Sequence, residues 1–432
     1  MAKADGSDSK QVYGSFIGNN WVQLVAGVCG MAMISSLQYA WTLFVPELKT
    51  AFQWSLPSVQ LAFAIFIALM TYAAPLTGFL LDKFGTRLFF TVAGLCVAVG
   101  WGGMGYADNL TTLYVLYGTA GIGASFIYTG GIAAALKWFP KKRGLASGIM
   151  AAGFGSGAAP FIPIIGYLIA HVGYKEAFLY SGIGFAAVLL VIAQVLRFPS
   201  WESAAESKST PVAGKEGEVR GCNPVEMFKT GQFYLIYGIF VGMAIGYMFL
   251  TPSVKPFAKE IGIASNVILL AASLYAIANG AGRVVWGIIS DKIGREKAMA
   301  IDFVICGIAY AALPIFGKDP ILFTAILCLA FFCCGPMFAF FPPLTADRYG
   351  QTYLATNYGI MYSAKGFGGL IGGALGSVMV VKYGWTAAFF TMAILAIISA
   401  VGALILRKIE KPALIRPVRP APTPEQAGPT VQ

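Results

Sequence analysis

The chain of 432 residues is 57% hydrophobic and only 11% charged, with a mean hydropathy of +0.72, which excludes a soluble globular protein. Its net charge of +11 would suit a nucleic-acid partner. The basic residues, however, concentrate in the polar turns on one side of a series of apolar segments, a distribution typical of a membrane protein.

Apolar segments of spanning length occur twelve times along the chain. The runs are long and continuous, which favours helices over the short alternating strands of a barrel. They lie near residues 21–45, 58–81, 88–106, 111–136, 145–170, 177–197, 233–256, 266–290, 298–316, 320–345, 356–381 and 385–406. Since the first twenty residues are polar, we expect that no signal peptide is removed. The pattern predicts an all-α membrane protein with twelve transmembrane helices.

The charge distribution predicts the orientation. If both termini are cytoplasmic, two cations lie in the membrane and most of the remaining basic residues face the cytoplasm, including the run from Lys137 to Arg143. The basic residues that then face outside are Lys49, Lys175, Lys255, Lys259, Lys318 and Lys382. This bias orients a membrane protein by itself. We therefore expect a multi-pass membrane protein with both termini in the cytoplasm, which contacts lipid and binds no nucleic acid.

The cysteine and histidine positions do not indicate a catalytic or metal site. Six of the seven cysteines lie inside predicted helices and Cys222 lies in a loop, without disulfide or metal spacing. The single histidine, His171, lies at an outer helix end, where we expect a surface role. No phosphate-binding loop or nucleophile motif is present. We expect neither enzyme activity nor a cofactor, and we expect a monomer.

Two halves of six segments each are predicted. Residues 1–199 form the first half, 200–230 a polar cytoplasmic linker, 231–407 the second half and 408–432 a disordered tail rich in proline. Three motifs recur at nearly one offset: the turn at Gly78 and at Gly287, the pair Gly173-Tyr174 and Gly384-Trp385, and Ala151–Gly155 with 364–368. Repeats in register indicate duplicated halves.

The repeated turn carries a helix-capping aspartate and an arginine in each half. These four residues, Asp82, Arg87, Asp291 and Arg295, are expected to close the cytoplasmic side and to separate when it opens. Twelve segments in two halves, with Gly-x-x-x-Asp-Lys-x-Gly-x-Arg in the first and a close variant in the second, resemble the major facilitator superfamily. The resemblance covers about residues 15–407 and implies a substrate cavity between the halves.

Two cations lie deep in the second half. Arg283 stands eight residues before Asp291, about 12 Å into the membrane at the rise of an α-helix. Lys365 lies about ten residues inside the eleventh segment, roughly 15 Å from the cytoplasmic face. No Asp or Glu is expected at this depth, because Asp302 stands only a few residues into the ninth segment and Glu47 at an outer helix end. The missing partner should be an anionic substrate.

Helical spacing predicts the walls of this cavity. Tyr275 and Asn279 share the face of Arg283, and Tyr358 and Tyr362 accompany Lys365. Polar or aromatic residues at mid-depth of the first and fourth segments complete the candidates, namely Gln38, Tyr39 and Tyr128. The glycines of Ala151–Pro163 are four residues apart, which predicts close helix packing and a hinge rather than substrate contact.

Local sequences resemble the bacterial oxalate–formate antiporter family. They include Gln38-Tyr39-Ala40-Trp41, the run from Trp138 to Gly148, Asn279-Gly280-x-x-Arg283, and Asn357-Tyr358-Gly359 followed by Ala364-Lys365. The resemblance implies that Arg283 and Lys365 bind the dicarboxylate and that Gln38, Tyr39 and Tyr128 line the site. Phe154 replaces a family tyrosine, Cys334 and Phe338 replace a tryptophan and a tyrosine, and Tyr362 replaces a tryptophan.

The function expected from these residues is exchange of small carboxylates, most directly of oxalate for formate, by alternating access. The alternative is proton-coupled symport of a monocarboxylate such as lactate, pyruvate or formate. The related animal symporters place an aspartate one turn before the arginine, where this chain has Asn279. A receptor on the same fold is a further alternative. The linker and tail contain no recognisable signalling domain, which argues against it.

Overall fold

A computed structural model describes residues 17–199 and 221–412, which form a bundle of helices. Most of the predicted linker and nearly all of the predicted tail lie outside the described residues. The described ends of the chain meet at one end of the bundle, where Gln232 donates to the Glu410 carbonyl and Gln23 donates to the carbonyls of Ile17 and Val195. This end is called the predicted cytoplasmic side below.

The first half contains the spans α1 to α6. Their bounds are Asn20–Tyr39 and Trp41–Phe52 for α1, Leu56–Tyr72 and Ala74–Phe84 for α2, Thr86–Gly103 for α3, Leu110–Trp138 for α4, Arg143–Ser156 and Phe161–Val172 for α5, and Tyr174–Val195 for α6. The second helices of α2 and α5 begin at or beside a proline, Pro75 and Pro160, which lacks the amide hydrogen that would continue the preceding helix.

The second half contains the spans α7 to α12. Their bounds are Gly231–Glu260 for α7, Ser265–Ile293 for α8, Arg295–Phe316 for α9, Pro320–Cys334 and Met337–Tyr349 for α10, and Leu354–Lys408 for α11 and α12 together. Gly384 has φ 80° and breaks this 55-residue helix. At about 1.5 Å per residue the whole run is far too long for one crossing, so α11 covers residues 354–383 and α12 covers 385–408.

The number of spans agrees with the sequence prediction. Among the described residues, ten helices are long and apolar enough to cross a membrane. The two helices of α2 are bent by 43° at a break, and together they are long and apolar enough to count as an eleventh. Residues 354–383 add the twelfth, a helix of spanning length that carries Asn357 and Lys365. The prediction of an all-α protein with twelve spans in the order of the sequence is confirmed.

The described end of the linker is ordered by local bonds. A one-turn helix, Pro224–Phe228, begins with a capping box in which Asn223 and Glu226 bond to each other's backbone amides. The Cys222 amide donates to the Tyr349 carbonyl, and the Asn357 side chain donates to the Cys222 carbonyl. This end of the linker therefore lies against α10 and α11.

Glycine allows the two halves to approach closely on the predicted cytoplasmic side. A Cβ built on Gly144 of α5 would lie 2.2 Å from the Gly287 carbonyl oxygen of α8. In the related position, a Cβ on Gly78 of α2 would lie 2.2 Å from the Ala355 carbonyl oxygen of α11. Residues with side chains do not fit at these crossings, as is typical of small residues between membrane helices. The pairs α5–α8 and α2–α11 thus join the halves.

Candidate functional site

Arg283 lies at the boundary between the two halves and is 2% exposed. Its Nε donates to Oδ1 of Asn279, one turn earlier on α8, at 3.0 Å. Its Nη1 donates to the Ala151 carbonyl of α5, in the other half, at 2.6 Å. Charge-assisted hydrogen bonds of this kind contribute about 1.5–3 kcal/mol each. They orient the guanidinium, yet both acceptors are neutral and leave its charge without a counter-ion.

Lys365 of α11 is 4% exposed and donates from Nζ to the Tyr362 hydroxyl at 3.0 Å. Its ammonium also lies near aromatic rings, 5.2 Å from the centroid of Tyr362 and 5.5 Å from that of Phe154. Rings stabilise a nearby cation by about 0.5–2 kcal/mol but carry no net charge. Like Arg283, Lys365 is positioned by neutral groups.

One ring contacts both cations. The Phe338 centroid is 5.2 Å from Cζ of Arg283 and 5.7 Å from Nζ of Lys365. Within residues 17–199 and 221–412, no carboxylate lies within 4.0 Å of either cation. Two buried charges of one sign therefore share one site in the second half. Such an arrangement favours an anion of up to two charges between them.

Aromatic residues of the first half cover the site. Tyr128 of α4 is 2% exposed and stacks on Tyr362 of α11 at 4.2 Å. Phe154 of α5 meets Tyr128 edge-on, with ring centroids 5.3 Å apart, and the Tyr39 ring of α1 lies 6.1 Å from the Phe154 ring. These rings exclude water from the space beside Lys365, which strengthens ionic contacts there. The predicted candidates Tyr39, Tyr128 and Tyr362 are thus brought together.

Other predicted residues lie at different distances from the cations. Tyr358 is fully buried, its ring 5.9 Å from that of Tyr362, and its hydroxyl has no hydrogen-bond partner among the described residues. Gln38 has a buried Oε1 that also lacks a partner in that part of the chain. Tyr275 is half-buried and stacks on Phe331 of α10 at 4.1 Å. Tyr275 therefore shares the face of Arg283 without forming a hydrogen bond to it.

Sequence reasoning missed two contributors to the site. Tyr247 of α7 lies beside Asn279, whose Nδ2 is 3.5 Å from the Tyr247 hydroxyl, and its ring meets Phe338 edge-on at 5.7 Å. The signal was a polar aromatic at mid-depth of the seventh segment. The Ala151 carbonyl was unpredictable from residue type, because every residue carries one. The Ala151 carbonyl accepts one of the two bonds that orient Arg283, and Tyr247 contacts Asn279, which accepts the other.

Asp302 of α9 is buried in the interior of the bundle. Helix α9 begins at Arg295, so Asp302 is in its third turn, and the residue is 0% exposed. Neither carboxyl oxygen accepts from an N–H or O–H group among the described residues. Asp302 is thus buried inside the bundle, seven residues after the first residue of a helix that begins in the charged stretch before the apolar run. Asp302 forms no ion pair with Arg283 or Lys365.

The motif aspartates join the two halves on the predicted cytoplasmic side. Asp291 of α8 accepts from the Gly144 and Leu145 amides at the start of α5, both at 2.9 Å. Asp82 of α2 accepts from the Ala355 and Thr356 amides at the start of α11, at 3.3 and 2.8 Å. Each aspartate thus caps a helix of the opposite half, where the helix dipole favours a negative charge. This side of the protein is closed.

The two motif arginines differ. Arg295 pairs with Asp291 at 2.6 Å and with Asp347 of α10 at 3.2 Å, and Asp347 also pairs with Arg143 of the first half. Arg87 instead donates to Gln194 of its own half at 2.9 Å. The last turn of α4 carries Lys137 where the last turn of α10 carries Asp347, and a lysine offers no counter-ion to an arginine. The structure therefore does not bring Arg87 into the contact between the halves.

Comparison with protein-family models identifies one family. The model of the Major Facilitator Superfamily matches residues 24–255 and 236–429. Among solved structures, the proton:xylose symporter XylE bound to 6-bromo-6-deoxy-D-glucose aligns with a TM-score of 0.66 and 15% identity. The alignment covers 90% of this chain and 95% of that one, and it shows a common fold.

Comparison with curated sequences finds relatives along nearly the whole chain. The oxalate:formate antiporter of Oxalobacter formigenes is 36% identical over 398 residues, which cover 92% of this chain and 94% of that protein. The uncharacterized transporter YhjX of Escherichia coli is 26% identical over 81% of this chain and 86% of its own length. Monocarboxylate transporter 12 of Rattus norvegicus is 22% identical, with coverage of 83% and 79%.

Proposed function

Because this chain belongs to the major facilitator superfamily, we propose that it exchanges small carboxylates across the membrane, with oxalate and formate as the substrates. It is a multi-pass membrane transporter by family and fold. The proposal rests on 36% identity to an oxalate:formate antiporter and on the two buried cations of the site. No bond in either anion is made or broken during this exchange, so no enzymatic step is proposed.

The observation that carries the proposal is the pair Arg283 and Lys365 against one ring. Each is nearly inaccessible to solvent, and each is held by neutral groups in the described structure. We propose that oxalate lies between them, one carboxylate on each cation. The guanidinium matches a carboxylate through two parallel hydrogen bonds, whereas the ammonium acts as a point charge. A dianion would neutralise both charges at once.

The side chains around the two cations would form the walls of the proposed site. Tyr39, Tyr128, Tyr358 and Tyr362 would supply hydroxyl groups, while the Phe154 and Phe338 rings would limit the space available to water. Gln38 and Asn279 would supply amides at the edge, and Tyr275 would line the approach along α8. Dry walls raise the strength of each ionic contact. They also penalise any state in which the cations are buried and the substrate is absent.

That penalty supports exchange rather than one-way transport. The carrier must bury the site while it switches between its two open forms, and an empty site would then hold two unpaired charges. A bound anion would remove that cost, so the loaded carrier would switch faster than the empty one. Formate carries one charge and oxalate two, so the proposed exchange of one for the other moves net charge across the membrane.

The closed cytoplasmic side supplies the other part of the proposed cycle. Asp82 and Asp291 cap helices of the opposite half, and Arg295, Asp347 and Arg143 form an ionic cluster across the same boundary. We propose that these contacts break when the substrate is released inside. Because the site lies between two halves of one chain, one chain is expected to suffice. The bacterial inner membrane, with both termini in the cytoplasm, is the proposed location.

The alternative is proton-coupled symport of a monocarboxylate, which the similarity to monocarboxylate transporter 12 keeps open. Transport by the purified protein in liposomes preloaded with oxalate, formate, lactate or buffer distinguishes exchange from symport. We expect labelled oxalate to enter only vesicles that contain oxalate or formate. Uptake of lactate into empty vesicles, driven by an inward proton gradient and without any uptake of oxalate, would establish the symport instead.

A further inference from the structure

Gly155 of α5 lies next to the guanidinium of Arg283, whereas Gly148 of the same helix lies next to the backbone of that arginine. The sequence predicts only close packing and a hinge for this run. In the structure, Gly144 and Gly148 approach the backbone of α8, and Gly153 approaches Val28 of α1. Gly155 instead faces a side chain, the guanidinium of Arg283 in the opposite half.

The space that Gly155 leaves empty is the space that the guanidinium occupies. A Cβ built at this position would lie 2.8 Å from Nη1, 3.0 Å from Cζ and 3.3 Å from Nη2 of Arg283. Those three atoms are its nearest neighbours. Contacts below 3.0 Å are not tolerated, so an added methyl group would displace the guanidinium. Gly155 has a negative φ, so its backbone conformation alone does not require glycine.

The displacement would lengthen and weaken the bond of this group to the first half. Ala151 stands one turn before Gly155 on α5, and its carbonyl accepts from Nη1 of Arg283 at 2.6 Å. The second bond, from Nε to Asn279, stays within α8 and does not cross the boundary. The contact with Ala151 is thus the bond by which this buried cation holds the opposite half.

We propose that Gly155 is a positioning residue for Arg283, and that the Ala151 carbonyl anchors this arginine to the first half when the cytoplasmic side is closed. The functional meaning of the anchor rests on the proposed carboxylate exchange, in which Arg283 binds substrate. A single side chain then belongs both to the binding site and to the boundary that closes. This is how the charge in the site and the closure of the protein are coupled.

Gly280 provides a matched control on the facing helix. A Cβ built there would lie 3.8 Å from Oγ of Ser156, an ordinary van der Waals contact. Gly155→Ala and Gly280→Ala therefore add the same methyl group to the same pair of helices. Only the first would move Arg283. Arg283→Met removes the anchor directly and keeps a long side chain at the boundary.

Closure is measured without substrate by the reactivity of a cysteine in the closed boundary. Ser147 of α5 is fully buried, and its Oγ is 3.5 Å from the Phe338 carbonyl oxygen of α10. We would introduce Ser147→Cys together with Cys222→Ser, and label inside-out vesicles with a membrane-impermeant maleimide. We expect Gly155→Ala and Arg283→Met to raise the labelling rate about fivefold or more, as the loss of one charge-assisted bond implies. Gly280→Ala should stay within about twofold of the parent.

Two results would overturn the proposal. Equal labelling of Gly155→Ala and Gly280→Ala would show that Gly155 does not position Arg283. Faster labelling of Gly155→Ala with unchanged labelling of Arg283→Met would show that the methyl group only wedges the helices apart. Since no carboxylate is added, these outcomes are independent of substrate. A failure of oxalate exchange in liposomes would contradict the proposed function and leave the anchor intact.

Discussion

Arg283 and Lys365 lie against the same phenylalanine ring, their charged groups 5.2 and 5.7 Å from the centroid of Phe338. They come from different helices, α8 and α11, and no carboxylate in the described ranges pairs with either. Two like charges repel, and burial raises the cost of each. Neutral acceptors stabilise the arrangement, and we propose that a dianion completes it.

The hydroxyl beside Lys365 should contribute to substrate affinity. In Tyr362→Phe, the ammonium loses the acceptor at 3.0 Å and keeps the ring at 5.2 Å. We expect the KM for oxalate to rise about 10- to 100-fold, the range that one hydrogen bond to a charged group implies, with little loss of folded protein. Tyr275→Phe is the matched control, because its ring stacks on Phe331 and its hydroxyl does not meet Lys365. Equal effects in the two variants would contradict this role.

The two motif arginines should respond differently to the same substitution. Arg295→Gln removes ion pairs to Asp291 and Asp347, whereas Arg87→Gln removes one exposed bond to Gln194. We expect Arg295→Gln to lower the rate of oxalate exchange about tenfold or more, since a partly buried cluster loses its central cation. Arg87→Gln should stay within about twofold, as surface pairs contribute little. Rates of exchange in liposomes measure both, and a reversed order would refute the assignment.

Asp302, the buried acid of α9, should tolerate replacement, whereas Asp347, the acid at the boundary between the halves, should not. Asp302 accepts from no N–H or O–H group within the described chain, and the thiol of Cys333 beside it is a weak donor, so Asp302→Asn removes no strong bond and keeps the shape. We expect the thermal unfolding temperature to stay the same or rise, and exchange to continue. Asp347→Asn should instead lower both, because it breaks pairs with Arg143 and Arg295. A strong loss of exchange in Asp302→Asn would reveal a role for this acid that the contacts do not show.

The sequence predicts much of this molecule because charges inside apolar runs are conspicuous. Twelve spans, two halves and the depth of Arg283 and Lys365 follow from hydropathy, repeats and helical rise. The two motif aspartates were also predictable as helix caps. That each caps a helix of the opposite half required the fold.

Other features depend on contacts between distant segments. The Ala151 carbonyl has no signature in the sequence, and Phe338 looks like any packing residue until the helices are assembled. The complete burial of Asp302 was not visible in the sequence, because it depends on which helices pack against α9. Arg87 and Arg295 each end one copy of the motif, yet Gln194, which accepts from Arg87, and Asp347, which pairs with Arg295 in addition to Asp291, both lie outside it. The residue type at one position does not show which hydrogen-bond or ion-pair partner the facing helix provides.

The account depends most on the claim that two cations hold one dianion, and binding of oxalate and formate to Lys365→Gln tests it directly. Isothermal titration calorimetry would compare the variant with Lys382→Gln, an exposed lysine on the same helix. We predict that Lys365→Gln weakens oxalate binding about 100-fold or more, as removal of one partner of a buried charge pair implies, and weakens formate binding far less. Lys382→Gln should bind both anions as the parent does. Undiminished oxalate binding by Lys365→Gln, or equal losses for oxalate and formate, would contradict the two-cation site.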